Sequence, residues 1–234
     1  MYSIIERQSP NFDAREPNTS VDMLVLHYTG MLSGEEALAR LTDFEHQVSA
    51  HYLIEEDGRV YRLVDEKYRA WHAGVSYWRG HRNINARSVG IEMVNPGHEY
   101  GYRPFPAVQM SALEALALDI LSRHPIPARN VVGHSDVAPM RKEDPGEFFD
   151  WRGLAAKGIG LWPKRAVRRS ANVIDALALI GYDTTDYARA LAAFQRHFRP
   201  AEIHGVADAD TLHWLQGVVD SCESAPPVNS KCGQ

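Results

Sequence analysis

The chain has 234 residues, a hydrophobic fraction of 44% and a formal net charge of −5. This length allows one large domain or one medium and one small domain. The acidic balance and the lack of a basic stripe argue against nucleic-acid binding. No apolar run is long enough to span a bilayer, and the first residues lack the pattern of a signal peptide, so we expect no transmembrane segment and no conventional secretion.

The two cysteines, Cys222 and Cys232, lie near the C-terminal end. Their position excludes a cysteine-rich metal module and a cysteine nucleophile in the main part of the chain. They are either two thiols in a reducing compartment or a disulfide in an oxidising one.

Apolar periodicity and turn residues predict an α/β domain with a mixed central β-sheet flanked by helices. The predicted elements, in chain order, are an irregular lead-in at 1–21, a buried strand at 22–27, a helix capped by Ser33 and Glu36, strands at 50–55 and 59–64 around an Asp-Gly turn, a loop at 68–78, a strand at 88–94, an amphipathic helix at 107–123, a strand at 130–134 and a short helix from Asp150. The main domain is predicted to end at residue 163.

A different composition begins after residue 163. Residues 164–170 form a short basic linker, and three short helices are predicted at 171–180, 187–198 and 210–219. The chain is thus divided into a main domain at 1–163, a linker at 164–170, a small three-helix domain at 171–221 and a tail at 222–234.

The stretch VVGHSDVAPMRKEDPG, residues 131–146, carries the strongest sign of chemistry. An apolar strand end releases His134 into a loop that contains Pro139 and Asp144, and such loops present reactive groups on a rigid scaffold. If His134 and Asp144 bind one ion, the loop must fold back on itself. A hydrolytic metal site needs a third ligand, and His27, at the end of another apolar run, is the best candidate. A strand-end histidine can equally be a hydrogen-bonded structural residue.

Ser135 lies between His134 and Asp136, which suggests a Ser-His-Asp triad. Adjacent residues of an extended chain point to opposite sides, so these three cannot form a triad with one another.

Several motifs together resemble one family. The strings, in order, are LHYTG, SAHYLIEEDG, RAWHAGVSYWRG, SVGIEMVNPG and VVGHSDVAPMRKEDPG. They are similar to the zinc-dependent N-acetylmuramoyl-L-alanine amidases, the superfamily that includes the peptidoglycan recognition proteins. The resemblance runs from about residue 23 to residue 163.

This resemblance implies a Zn²⁺ ion held by His27, His134 and Asp144. It implies hydrolysis of the amide bond between the lactyl group of N-acetylmuramic acid and L-alanine. Glu92 falls on the family's general acid/base, and Lys142 falls on a lysine that stabilises the oxyanion of the tetrahedral intermediate.

The residue types and their positions in the sequence also allow other roles for these side chains. Glu92 could be a solvent-facing strand carboxylate, and Lys142 could be a surface lysine, as we expect for Arg141. Glu143 competes with Asp144 as a ligand, although Pro145 and Gly146 give Asp144 a fixed turn.

Other residues are carried over from the resemblance as substrate-binding candidates. His51 lies either near the metal or in the core. His72 and Trp71 are expected to line the substrate groove. Arg79 and Asn85 are expected to bind carboxylates and peptide groups of the substrate, since a guanidinium offers a bidentate fork.

The C-terminal strings LALIGYD, ALAAFQRHF and HGVADADTLHWL resemble a three-helix peptidoglycan-binding domain, although such a bundle could also only cover the main domain. We predict a zinc amidase that acts on peptidoglycan or on muropeptides, including anhydro-muropeptides. The alternatives are a peptidoglycan-recognition protein that does not cleave, and a metal-dependent deacetylase or peptidase on the same polymer. The expected location is the cytoplasm, with the periplasm after unconventional export as the alternative.

Overall fold

The strand Met23–Tyr28 (β3) lies inside the central sheet, with a neighbour on each side. Its apolar run is unbroken, which is typical of a strand that is covered on both faces. The computed structural model describes residues 3–170 and 172–224.

The elements follow in chain order. The other strands are β1 (Ile4–Glu6), β2 (Phe12–Ala14), β4 (Tyr52–Ile54), β5 (Val60–Arg62), β6 (Tyr68–Ala70), β7 (Ser88–Met93) and β8 (Val131–Gly133). The helices are α1 (Gly34–Leu41), α2 (Ile84–Arg87), α3 (Gly97–Tyr100), α4 (Ala107–Arg123), α5 (His134–Val137), α6 (Trp151–Ala156), α7 (Val173–Ile180), α8 (Tyr187–Phe198) and α9 (Ala209–Ser224), with 3₁₀ turns at Phe44–His46 and Ala128–Asn130.

Six strands form the main sheet in the order β1-β5-β4-β7-β3-β8. Strands β4, β7, β3 and β8 run parallel, β5 is antiparallel to β4, and β1 is parallel to β5. Strands β2 and β6 pair separately as an antiparallel ribbon. The predicted mixed α/β class is therefore confirmed, and the helices lie on both faces of the sheet.

Alternation along β3 separates two hydrophobic cores. Leu24 and Leu26 belong to the core on one face, whereas Met23 and Val25 belong to the core on the other. Because side chains two residues apart share a face, His27 lies on the same face as Met23 and Val25.

Helix α4 covers the face of Leu24 and Leu26 with the inward stripe that its periodicity predicts, formed by Leu113, Leu116, Ala117 and Ile120. The opposite face is covered in two parts. Helix α1 packs Ala37 and Leu41 against Leu53 of β4. The C-terminal helices pack against β3 and β8, so the carboxyl ends of the central strands lie between these two covers.

The C-terminal helices share one core with the sheet. Leu177, Phe194 and Leu215 belong to the same buried cluster as Val25 and Val132. We refer to residues 172–224 as the C-terminal helical unit. Because this unit buries the sheet's own side chains, it is an integral part of the packing.

The predicted linker at 164–170 lies along α9. The backbone N–H of Ala166 donates to the carbonyl of His213, and that of Ser170 donates to the carbonyl of Leu212. The predicted domain boundaries at 163, 170 and 221 stay predictions, but the structure joins the segments on either side by hydrogen bonds.

Other predictions for the ends of elements need correction. The lead-in at 1–21 contains β1, which extends the sheet through pairing with β5, and β2, which pairs with β6 in the predicted loop at 68–78. These strands have three residues each, too few for an alternation pattern to be recognised.

The predicted tail begins inside α9, which continues to Ser224. Cys222 lies on this helix and is partly buried. Cys232 lies outside the described residues, so its pairing with Cys222 stays a prediction. Within residues 3–170 and 172–224, every helix falls short of the length and hydrophobicity that crossing a bilayer requires.

Glu66 connects the sheet to the end of α4. Its carboxylate accepts hydrogen bonds from Tyr52 Oη at 2.7 Å, Arg123 Nη2 at 2.8 Å and His124 Nε2 at 2.6 Å. Burial raises the pKa of Glu66, but the hydrogen bonds from Arg123, Tyr52 and His124 outweigh burial and lower this pKa to about 2. The ionised carboxylate is therefore the form that the fold stabilises.

We expect Glu66→Gln to reduce the free energy of unfolding by on the order of 3 kcal/mol at pH 7. The folded-state pKa lies below that of the unfolded chain, so this contribution is present at neutral pH and is lost as pH falls from about 4.5 toward 2. Urea unfolding at pH 7 and pH 3 measures it, and the difference from wild type should shrink by about half or more at pH 3. An equal difference at both pH values would contradict the assignment.

Candidate active site

Three predicted ligands converge at the carboxyl ends of β3 and β8. His27 Nδ1 lies 2.9 Å from His134 Nδ1, and each of these atoms lies 3.1 Å from Oδ2 of Asp144. All three side chains are buried. The loop after α5 folds back as the sequence requires, because the N–H of Ser135 donates to the carbonyl of Asp144 at 2.8 Å.

The hydrogen-bond partners of His134 fix its tautomer. Its Nε2 lies 3.1 Å from the carbonyl oxygen of Ala73, which can only accept, so we assign the ring hydrogen to Nε2. Arg141 Nη2 lies 3.3 Å from the same nitrogen, but this guanidinium donates to the carbonyls of Ala73 and Val75. The lone pair of His134 is therefore on Nδ1, which faces the other two ligands.

A buried relay fixes the tautomer of His27 in the same way. Ser88 Oγ donates to the carbonyl of Ile84 at 2.8 Å, so its oxygen accepts from Nε2–H of His72 at 3.1 Å. His72 Nδ1 then has the lone pair, and it accepts from Nε2–H of His27 at 3.0 Å. His27 therefore also directs a lone pair from Nδ1 toward Asp144.

The charge states agree with this assignment. Burial and the neighbouring His134 lower the pKa of His27 to about 4, so its imidazole is neutral at pH 7. Burial raises the pKa of Asp144, but the neighbouring His134 and His27 outweigh burial and lower it, so the carboxylate stays ionised. Two imidazole lone pairs and one carboxylate oxygen thus face one another with no donor between them. This donor set fits a metal ion, and the cluster His27, His134 and Asp144 could hold one.

Glu92 lies beside this cluster because β7 pairs with β3 so that Glu92 is opposite His27. Among residues 3–170 and 172–224, its Oε2 is buried without a hydrogen-bond partner. Burial, together with the negative charge of Asp144, raises the pKa of Glu92 well above its usual range, and Lys142 partly opposes this. Glu92 thus lines the cavity beside the cluster, with one carboxylate oxygen buried, which favours a role in the site over a solvent-facing strand carboxylate.

The chain matches the family described as N-acetylmuramoyl-L-alanine amidase over residues 17–147. The N-acetylmuramoyl-L-alanine amidase AmiD of Escherichia coli is 38% identical over 89% of this chain and 87% of its own length. The chain belongs to the N-acetylmuramoyl-L-alanine amidase family. This result confirms the predicted family and the predicted class of enzyme.

Two solved structures of amidases from this family are similar to this chain. Escherichia coli AmiD, in complex with the substrate anhydro-N-acetylmuramic acid-L-Ala-D-gamma-Glu-L-Lys, has a TM-score of 0.77 and 37% identity, over 88% of this chain and 92% of that chain. AmpDh3 from Pseudomonas aeruginosa has a TM-score of 0.79 and 34% identity, over 94% and 99% of the two chains. Both likenesses extend over most of this chain.

An open cleft leads to the amidase site. It has a volume of about 990 Å³ and lies between α1, the end of β3, α3 and the loop of residues 141–144. Lys142 and Asp144 line both this cleft and an inner cavity of about 190 Å³. The inner cavity is also lined by Trp71, His72 and Glu92. Lys142 therefore lies at the passage between the cleft and the metal cluster.

The other predicted substrate-binding residues lie elsewhere. His51 is fully buried, its Nδ1 accepts from the N–H of Gly90 at 3.0 Å, and its Nε2–H donates to the carbonyl of Tyr68 at 3.1 Å, which favours the core alternative. Asn85 Oδ1 accepts from the N–H groups of His72 and Ala73, so it shapes the loop that holds them.

Arg79 is directed away from the amidase site. Its Nη1 donates to the carbonyls of Leu179 and Ile180 in the C-terminal helical unit. Its contacts are structural, and we do not retain it as a substrate-binding residue. Arg196 binds Glu143 at 3.0 Å, which takes the competing carboxylate out of the ligand set.

Residues that the sequence did not suggest complete the site. Gly90 makes room for the relay, since a Cβ there would lie 2.5 Å from Cγ of His72. Gly133 similarly lets Pro145 approach the end of β8, where a Cβ would lie 2.7 Å from the proline ring. A glycine inside an apolar strand was the available signal for both positions.

We expect His72→Ala to weaken metal binding by about 10- to 100-fold, because His27 loses the acceptor that fixes its tautomer and ring orientation. Competition between the protein and a coloured chelator for Zn²⁺ measures the affinity. His98→Ala is a matched control, since His98 lines the cleft but bonds Tyr28 and Glu147 rather than a ligand. Equal affinities of wild type and His72→Ala would remove the relay from the site.

Proposed function

We propose that this protein is a zinc-dependent amidase that cleaves the bond between the lactyl group of N-acetylmuramic acid and L-alanine in muropeptides. The observation that carries this proposal is the convergence of two imidazole lone pairs and one carboxylate beside Glu92, whose Oε2 is buried with no hydrogen-bond partner among the described residues. Imidazole nitrogens and a carboxylate oxygen suit zinc, and three protein ligands leave a position open for chemistry.

Zinc bound there would lower the pKa of a water molecule and polarise the carbonyl group of the substrate. Glu92 lies on the same face of the sheet as His27 and is directly opposite it. From this position Glu92 can accept the proton of the attacking water and donate it to the leaving amine of L-alanine. A raised pKa makes the Glu92 carboxylate a stronger base toward the water, and the carboxylic acid that results can then donate its proton to the amine.

Lys142 is the proposed source of the positive charge that stabilises the oxyanion. Its ammonium lowers the pKa of Glu92, which indicates a favourable interaction across the inner cavity. An ammonium at the entrance of that cavity can stabilise the negative oxygen that develops on the amide carbon. One loop thus provides two groups: Lys142 stabilises the oxyanion, and Asp144 binds the metal.

Recognition without cleavage is the second candidate function. It requires no general acid/base and no complete ligand set. This chain has residues suited to both, the cluster of His27, His134 and Asp144 and the carboxylate of Glu92, and placing Oε2 of Glu92 out of contact with solvent has an energetic cost that binding alone would not need. We therefore propose catalysis.

Anhydro-muropeptides are the proposed substrates. The Escherichia coli relative was solved with an anhydro-N-acetylmuramic acid tripeptide, and AmpDh3 was solved with an anhydromuramic pentapeptide. The cleft in this chain, at about 990 Å³, has room for a ligand of that size. The predicted cytoplasmic location, and the periplasmic alternative, stay predictions.

We expect the protein to convert anhydro-N-acetylmuramic acid-L-Ala-D-γ-Glu-L-Lys to anhydro-N-acetylmuramic acid and the free tripeptide. Mass spectrometry of the products identifies the bond that is cleaved. A chelator should abolish the reaction, and added Zn²⁺ should restore it. Cleavage at another bond, or cleavage that a chelator does not affect, would contradict the proposal.

Glu92→Gln separates metal binding from proton transfer in this experiment. The variant should keep its zinc and lose at least about a hundredfold in kcat, because the amide cannot accept or donate the proton. Glu114→Gln on α4, which packs against the opposite face of the sheet, is the matched control and should retain full turnover.

We further propose that the C-terminal helical unit binds peptidoglycan. Exposed apolar side chains on this unit offer contacts for a polymer, and they are Ile174, Leu179, Tyr187 and Val206. The resemblance of the helices to a peptidoglycan-binding domain supports this role.

We expect a variant with serine at these four positions to bind isolated sacculi at least about tenfold more weakly and to cleave the soluble muropeptide normally. Sacculus pull-down measures binding. Leu118→Ser, which changes an exposed leucine on α4, is the control. Unchanged binding of the fourfold variant would exclude this surface.

A further inference from the structure

A fully buried carboxylate lies between the metal cluster and the C-terminal helical unit. Asp136 is 1% exposed and lies in the one-turn helix α5. Its Oδ2 accepts from the N–H of Gly133 at 2.7 Å and from His197 Nδ1 at 2.8 Å. Its Oδ1 accepts from Tyr182 Oη at 2.6 Å. Both oxygens therefore have donors, as a buried carboxylate requires.

The turn that Asp136 stabilises holds two of the three metal ligands. His134 is its first residue, and the Asp136–Gly133 hydrogen bond closes the turn around it. The N–H of Ser135 binds the carbonyl of Asp144. A displacement of α5 would thus move His134 and Asp144 together, whereas His27 is held separately by β3 and the relay through His72.

Two of the three donors to Asp136 come from the C-terminal helical unit. Tyr182 follows α7, and His197 lies on α8, where its ring stacks on Trp151 with centroids 3.9 Å apart. Helix α8 also reaches the ligand loop, since Arg189 donates to the carbonyl of Met140. Together with the Arg196–Glu143 ion pair, these contacts attach the loop to α8 at several points.

We propose that the C-terminal helical unit positions the metal site through Asp136. Tyr182 and His197 are positioning residues that hold the α5 turn, and thereby His134 and Asp144, in the geometry that binds the ion. This inference rests on the proposed zinc site. It assigns to the C-terminal helical unit a role in the catalytic centre that is separate from any contact with peptidoglycan.

Tyr182→Phe tests the proposal in the full chain, because it removes one hydrogen bond and keeps the ring. We expect zinc affinity to fall by about tenfold, at the low end of the range for direct partners of metal ligands, because Tyr182 acts on the ligands through Asp136 and the α5 turn. The visible absorption spectrum of the Co²⁺-substituted protein should shift, and kcat should fall while KM stays unchanged. His197→Phe, which keeps a ring to stack on Trp151 but lacks the Nδ1–H, should have the same effects.

Arg79→Ala is the matched control. It removes two hydrogen bonds between the loop after β6 and the same unit, at Leu179 and Ile180, without contact with Asp136. This variant should melt at a lower temperature and keep the zinc affinity and the Co²⁺ spectrum of wild type. Equal losses of zinc affinity in Arg79→Ala and Tyr182→Phe would mean general destabilisation and would overturn the proposal.

Zinc binding by the wild-type protein distinguishes a failure of the proposed function from a failure of the positioning role. A wild-type protein that binds no zinc would contradict the proposed function. A wild-type protein that binds zinc, with unchanged affinity and spectrum in both Tyr182→Phe and His197→Phe, would overturn only the positioning role.

Discussion

The constraint that governs this structure is that three atoms with lone pairs face one another in a buried space. His27 Nδ1, His134 Nδ1 and Asp144 Oδ2 lie about as close as hydrogen-bonded atoms, yet their environment leaves no hydrogen between them. The other nitrogen of each imidazole is committed to an acceptor, Ala73 or His72. Such a set is electrostatically unfavourable alone and favourable around a cation, so the surrounding fold must supply the rigidity that keeps the donors together.

The sheet supplies part of that rigidity through register. Pairing of β3 with β7 sets Glu92 opposite His27 on one face, and pairing with β8 brings His134 to the same edge. A shift of one residue would move His27 to the face covered by α4 and separate it from Glu92. The alternation of Leu24 and Leu26 with Met23 and Val25 prevents this shift, because both faces bury apolar side chains. Packing on both sides of β3 therefore specifies the positions of His27 and Glu92.

The sequence predicted elements with long periodic patterns, such as α4 and the buried strands. Strand-end histidines and a matching motif also predicted that His27, His134 and Asp144 come together, as they do in the structure, and their role as zinc ligands stays a prediction. It did not predict β1, β2 or β6, since three residues cannot display a period. Nor could it decide the roles of His51 and Arg79. Both depend on partners distant in the chain, Gly90 and Tyr68 for the first, Leu179 and Ile180 for the second. Side chains of one type acquire different functions from tertiary contacts that no local pattern encodes.

Asp136 shows how this limit affects the division into domains. Because Asp136 is adjacent in sequence to Ser135 and close to His134, these three residues cannot form a triad. No local sequence pattern indicated another role for Asp136. Its partners, Tyr182 and His197, lie beyond the predicted boundary at 163. A shift in composition marks where a chain changes its local structure, but it does not show where cooperative packing ends. Because the C-terminal helices share a core with the sheet beneath the α5 turn, the two segments form one packing unit in which distant helices and strand ends stabilise each other.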